Sequence, residues 1–226
     1  DMLKDPVSVT VTPQATTVEK IAQRVIHVDN GSKRALLVEL LRTDKAMERT
    51  LVFTRTKHGA DKVVRALDAA AIVSSAIHGN KSQSQRVSTL NAFRAGRTRV
   101  LIATDIAARG IDVDGITHVI NFDLPHVPEA YVHRIGRTAR AGAEGIAIAF
   151  CDREERGLLR DIERLTRQQI PSSEWKARPP QPGELVEQME RPRPERRDEP
   201  RRDQRAHAPR RDDRRDDRRQ APRNDA

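Results

Sequence analysis

Between residues 7 and 170, short runs of β-branched and other apolar residues alternate with stretches of helical period, and nothing else in the chain constrains its fold as strongly. Strands are expected at 7–11, 20–27, 50–54, 73–78, 99–104, 118–123 and 145–151. Several of these runs, such as Val100-Leu101-Ile102-Ala103, are apolar at every position. That suits strands buried on both faces. Between them Ala60, Val63, Val64, Leu67 and Ala71 recur at helical spacing, as do Val87 with Leu90, and Leu158 with Ile162, Leu165 and Gln169. These stripes are expected to face a core. Strand and helix in strict alternation predict an α/β fold with a parallel sheet covered by helices. In such a sheet the loops at the carboxyl ends of the strands line the binding crevice, so motifs that directly follow strands carry the most information.

Composition limits how much else the chain can hold. Of 226 residues 36% are hydrophobic and 33% charged, enough for one ordinary domain plus a segment that does not fold. Beyond Trp175 the text turns to Pro, Arg and Asp with almost no apolar residues, too little to offset chain entropy, so 173–226 is expected to be a disordered tail. Within it 210–219 reads RRDDRRDDRR, which would stack like charges at i and i+4 of a helix. From 191 to 226 there are 14 Arg against 9 acids, a net of 14 − 9 = +5, so the tail suits weak RNA tethering and plain solubilisation equally. The whole chain carries 42 − 33 = +9, which favours polyanionic partners such as nucleic acid, although excess charge can also serve solubility alone. The single cysteine, Cys151, excludes an internal disulfide and fits a reducing cytoplasm. No run approaches the ~20 apolar residues of a membrane helix, so no membrane partner is expected. Residues 1–15 read as an interdomain linker with a first strand, and 16–172 as the folded domain.

The strings that carry chemistry begin with an absence. A phosphate-cradling G-x-x-x-x-G-K-[ST] loop does not occur; Gly79-Asn80-Lys81-Ser82 resembles only its end. No acidic run or metal-ligand cluster follows a strand either. The strongest positive signal is HRIGRTARAG at 133–142, after a strand and Pro128. On a helix His133, Arg137 and Arg140 would share one face. Two guanidinium forks there would suit a phosphoryl group, and a solvated basic face fits the same spacing. ATDIAARGID at 103–112 places a hydroxyl, a glycine and carboxylates at a strand end, where Asp112 taken alone is an ordinary loop carboxylate. In HGNKSQSQR at 78–86, Ser82 is a natural N-cap, with Gln83 and Arg86 near a helix start.

Taken together and in order, these strings resemble the DEAD-box RNA helicases. LVFTRTK at 51–57 is similar to motif IV, HGNKSQSQR to the HGxxxQxxR element, ATDIAARGID to motif V, VINFDLP at 119–125 to motif Va, and HRIGRTARAG to motif VI. The one departure in motif VI is Ala139 where glycine is usual; an added methyl matters little there unless the position needs positive φ. The wording of 53–61 and 78–83 resembles the bacterial RhlE-type branch most.

The resemblance implies a RecA-like domain, the C-terminal one of two, with the N-terminal RecA-like domain as its partner. Arg137 and Arg140 would be arginine fingers, and Gly110 and Asp112 would also face ATP. Thr54, Gly79, Arg86 and Thr104 would grip RNA phosphates. Asp105, Arg109 and His133 would order the interdomain surface, and Phe53 would support the arginine-bearing helix from the core. ATP with Mg2+ would be held mainly by the N-terminal domain, so this chain alone is expected to be inactive. The implied activity is ATP-dependent unwinding of short RNA duplexes in the cytoplasm, with single-stranded RNA or a short duplex as partner. Two other readings stand beside it: an inactive RNA-binding module working through its tail, and a DNA helicase of the same superfamily.

Overall fold

The computed structural model describes residues 21–109, 111, 113–140 and 144–176. Seven strands, β1 Ile21–His27, β2 Thr50–Phe53, β3 Ser74–Ile77, β4 Val100–Ala103, β5 His118–Asn121, β6 Gly145–Cys151 and β7 Ser172–Glu174, form one sheet in the order β3-β4-β2-β5-β6-β1-β7. Every pairing is parallel. Six helices connect them: α1 Lys33–Thr43, α2 Lys57–Ala69, α3 Gln83–Arg94, α4 Asp105–Ala108, α5 Pro128–Ile135 and α6 Arg156–Thr166. The expected parallel α/β architecture is what the chain adopts. The expected strand at 7–11 lies outside the described residues, as do 177–226 of the tail.

Because side chains alternate across a strand, the apolar runs feed two cores at once. Val52, Ile102, Ile120, Ile148 and Phe150 pack against Leu36, Leu37 and Leu41 of α1 and Ala60, Val63 and Leu67 of α2. Their neighbours point to the opposite face. There Val25, Ala147 and Ala149 meet Tyr131 and Ile135 of α5 and Ile162 of α6, while Leu51, Phe53, Leu101 and Ala103 meet Phe93 of α3 and Ala107 of α4. Small residues on β6 leave room for the large ones on α5. Each fully buried Leu, Ile or Phe is worth about 1.5–3 kcal/mol, so this interleaving supplies most of the driving force.

Local signals set the helix starts. Thr56 caps α2 by accepting from the Gly59 amide at 3.0 Å. Ser82 caps α3 in a complete capping box: its hydroxyl accepts from Gln85 N, and the Gln85 side chain accepts from Ser82 N. α5 begins on Pro128, whose fixed φ suits a first helical position.

Three expectations of helical burial need correction. Val87 is 47% exposed because α3 packs over the edge strand β3, so that Phe93 is its one buried residue, with Leu90 partly covered. On α6 the buried residues are Leu159 and Ile162, whereas Leu165 is 43% exposed and Gln169 lies past the helix end, so the true stripe is rotated from the one read off the spacing. Ala71 falls beyond α2, at φ +58. The strand β7 crosses the 172/173 boundary drawn from composition; its Ser-Ser-Glu residues are all exposed on an edge and carry no apolar alternation. No helix among the described residues is long and apolar enough to cross a membrane.

Candidate functional site

After β2 the chain leaves for α2 on one face of the sheet, and after β5 it leaves for α5 on the other. Loops that part in this way open a crevice between the ends of two neighbouring strands. Arg134 of α5 fills its floor and is only 2% exposed. Its Nε and Nη2 donate to the two carboxylate oxygens of Asp105 at 2.6 and 2.8 Å, and its Nη1 donates to Asn121 Oδ1 at 3.0 Å and to the Asp123 carbonyl at 2.7 Å. The guanidinium also lies 5.1 Å from the centre of the Phe53 ring, within cation–π range. Phe53 thus supports the arginine-bearing helix from the core, through its face rather than through bulk alone. One buried cation joins the ends of β2, β4 and β5 to α5.

Above this floor is a cavity of about 250 Å3 lined by Phe53, Asp105, Ala108, Arg109, Ala130, His133, Arg134 and Arg137. Arg137, His133 and Arg109 therefore share one opening with Asp105. The expected helical face does not exist, however. α5 ends at Ile135, Gly136 caps it, and Arg137 and Arg140 lie in the turn that follows. Arg137 reaches the cavity by donating from Nη1 to the Ile111 carbonyl at 3.1 Å, and Arg140 Nε turns back to the Gly136 carbonyl at 3.3 Å. Within that turn Ala139 sits at φ +55. This is the left-handed region that favours glycine, so the departure noted in the sequence falls where positive φ is required, at a cost of about 1–2 kcal/mol. Burial of the Ala139 methyl in the α5–α6 core offsets part of that. Gly145 completes the arrangement, because a Cβ there would overlap the Thr138 side chain. Gly110 and Asp112 lie outside the described residues.

Of the residues expected to face RNA, Thr54 and Thr104 line up with His78 along three neighbouring strand ends, Gly79 follows His78, and Arg86 stands on α3. Phe53, Ala103 and Ile77 are in register, which puts Thr54, Thr104 and His78 in a row with the strand spacing of about 4.8 Å. Backbone bonds fix the row, from Thr54 N to the Ala103 carbonyl at 3.0 Å and from Thr104 N to the Ile77 carbonyl at 3.4 Å. Thr54 is fully buried, with its hydroxyl turned to the Thr56 carbonyl, while Thr104 is half-buried. A Cβ on Gly79 would meet nothing within 4 Å, and its φ lies outside the left-handed region. The fold does not require glycine there. On α3 the Arg86 Nε is buried and has no hydrogen-bond partner among the described residues. His78 is held by Asp61 at 3.1 Å and accepts from the Asn80 amide, which places its proton on Nε2. That bond, opposed by partial burial and helped by the charge of Lys81, holds the Asp61 carboxyl below its ordinary range.

Two buried cations, Arg134 and Lys33, were invisible in the spacing. Arg134 stands inside motif VI, and what would have singled it out is its place one turn below the cluster of Tyr131 and Ile135, on the buried side of α5. Lys33 carries no such signal. It is fully buried, with Nζ 2.6 Å from Glu155, 3.2 Å from Asp152 and 3.6 Å from Asp123. Nearby, burial and the charges of Glu155 and Asp152 push the Cys151 thiol up to about 11. Among the described residues no group of three or more His, Cys, Asp or Glu is placed to hold a metal ion.

The helicase conserved C-terminal domain family matches residues 32–142. The DEAD-box ATP-dependent RNA helicase CshA of Geobacillus kaustophilus is 41% identical over 189 residues, covering 84% of this chain and 39% of the relative. The chain therefore spans about two fifths of that relative's length. Among solved structures, the E. coli DEAD-box protein SrmB, bound to regulator of ribonuclease activity A, aligns with a TM-score of 0.63 at 35% identity over 71% of this chain and 98% of that one. S. cerevisiae Dbp5 bound to RNA and ADP BeF3 aligns at 0.68 and 30% identity, over 75% of this chain and 46% of that one.

Proposed function

We propose, from the premise that the chain belongs to the DEAD-box RNA helicases as their C-terminal helicase domain, that it supplies the arginine fingers and part of the RNA-backbone surface of an ATP-dependent RNA helicase. The observation that carries this reading is the shared opening: Arg137, His133 and Arg109 surround one cavity, while Thr54, Thr104 and His78 stand in a row on the adjoining strand ends, with Gly79 next after His78. Cations around a cavity suit the oxygens of a transferring phosphoryl group, and a row of hydroxyl and glycine positions suits a sugar–phosphate backbone. The two surfaces share β2 and β4, so a change at one reaches the other.

In this mechanism Arg137 meets the γ-phosphoryl oxygens of ATP and stabilises the charge that develops on them as the bond to the leaving diphosphate breaks. Arg140, Gly110 and Asp112 join it at the nucleotide. His133, Arg109 and Asp105 face an N-terminal RecA-like domain that holds the rest of ATP. Mg2+ would be held mainly by that N-terminal domain, where it would supply positive charge against the phosphates. Gly79, Arg86 and Thr104 grip RNA phosphates without reading sequence, so binding weakens with salt, while Thr54, fully buried, supports that surface from beneath. Closure of the two domains on a single strand pries apart a short duplex. We place the enzyme in the cytoplasm. The RhlE-type placement rests on the wording of 53–61 and 78–83, and the family assignment stands without it.

The test is ATPase activity, with and without single-stranded RNA, of this chain alone and of the chain joined to an N-terminal RecA-like domain. Only the joined form should hydrolyse ATP, with RNA stimulating it and DNA failing to. Arg137→Ala in that form should lower turnover by roughly 10³–10⁵ at unchanged folding. Near-normal turnover sinks the arginine-finger assignment, and equal stimulation by DNA sinks the RNA assignment.

A further inference from the structure

One buried carboxylate holds four segments of the chain together and has no part in the proposed chemistry. Glu155, 3% exposed where β6 passes into α6, uses all of its accepting capacity. Its Oε2 takes Lys33 Nζ at 2.6 Å and the Asp152 amide at 3.4 Å, and its Oε1 takes Arg55 Nη2 at 2.7 Å and the Leu124 amide at 3.1 Å. Arg55 Nη2 also donates to the Leu124 carbonyl at 3.2 Å, and the Arg55 amide donates to Asp123 Oδ2 at 2.9 Å. The loop after β2 is thereby fastened to the loop after β5 by both backbone and side chain.

Stability does not call for such a device. Lys33, Arg55, Asp123, Asp152 and Glu155 sum to 2 − 3 = −1, and well-packed apolar residues commonly replace buried ion networks without loss. What charge-assisted bonds add is direction. Here the direction links the two surfaces of the site. Thr54 immediately precedes Arg55, and Asp123, whose carboxylate belongs to this cluster, offers its carbonyl to Arg134 Nη1 at 2.7 Å. A rigid path therefore runs from Thr54 through Arg55, Glu155 and Asp123 to α5, the helix that leads into Arg137.

We propose that Glu155, seated by Lys33, is a positioning residue that makes the RNA-facing loop and the arginine-bearing helix shift as one body, so that RNA and ATP each strengthen the other's binding. This rests on the helicase reading above. The experiment uses the two-domain enzyme and measures the factor by which a non-hydrolysable ATP analogue tightens binding of single-stranded RNA. Binding coupling is reciprocal, so the same factor appears when RNA tightens the analogue, which provides an internal check. In Glu155→Gln, which keeps shape and removes charge, the factor should fall at least tenfold, or to unity where it starts below ten. Glu155→Asp, which keeps charge and loses reach, should behave alike and carries the test if the Gln variant folds poorly. Lys33→Arg, retaining the cation, should keep more of the factor than Lys33→Met. A folded Glu155 variant with the factor within twofold of wild type overturns the proposal. A wild-type enzyme whose ATPase ignores RNA overturns the helicase reading instead.

Discussion

Replacing Arg134 with methionine removes a cation of similar length from the floor of the crevice and leaves its partners behind. Two of these are buried wholly or in part: Asn121, fully buried, and the carbonyl of half-buried Asp123. Each buried acceptor left unpaired costs about 1–3 kcal/mol. The Asp105 carboxylate is 44% exposed and can resolvate, so the loss of its bidentate pair contributes only about 1 kcal/mol. Contact with the Phe53 ring survives in part through the thioether. The sum, about 4 kcal/mol, falls in the range for removing one member of a buried pair. For a domain of this size that lowers the thermal midpoint by roughly 8–16 °C. Thermal and urea unfolding of this chain, followed by circular dichroism, measure it directly. Asp105→Asn leaves the buried guanidinium without its counter-charge and should cost about 3–5 kcal/mol, even though the carboxylate itself is half-exposed. An Arg134→Met or an Asp105→Asn variant within about 1 kcal/mol of wild type would refute the assignment of Arg134 as the joint of the crevice.

Gly79→Ala should leave the unfolding midpoint of the chain unchanged or slightly raised, because its Cβ meets nothing and the unfolded state loses entropy. In the two-domain enzyme the same change should weaken RNA binding about fivefold or more, since a methyl then stands where a backbone phosphate approaches; unaltered affinity means that nothing approaches Gly79. His118, buried at the start of β5 with its Nδ1 on Thr117 at 2.9 Å, is held below its ordinary value of 6.5, chiefly by burial and against the pull of Asp44. The unfolded chain therefore takes up this proton at a higher pH than the folded one. Its contribution is complete above about pH 6.5 and is lost as pH falls from there toward the lower folded value, so stability should decline between pH 7 and 5. His118→Gln should flatten that decline; an equally steep one would place the titration elsewhere. Asp61, also depressed, loses its contribution only as pH falls below the carboxylate range, so it does not confuse the comparison.

The sequence by itself determined the α/β class, the parallel sheet, six of its strands and the identity of the motif strings, because continuous apolar runs and capping residues act over a few neighbours and need no tertiary partner. Ser82 with Gln85 is such a case: the cap is fully specified within four residues. Three things were decided only by tertiary structure. Arg137 and Arg140 lie past the end of α5, in a turn where Thr138 and Ala139 pack closely against Gly145, a contact between segments that spacing does not encode. Val87 and Leu165 stayed exposed because α3 sits over an edge strand and α6 is rotated against the sheet, and periodicity says nothing of where a helix lands. Lys33 and Glu155 lie 122 residues apart and look like surface charges in any local window. Only the parallel sheet, by bringing the ends of β2, β5 and β6 together beside α1, gives a buried lysine the three carboxylates it needs.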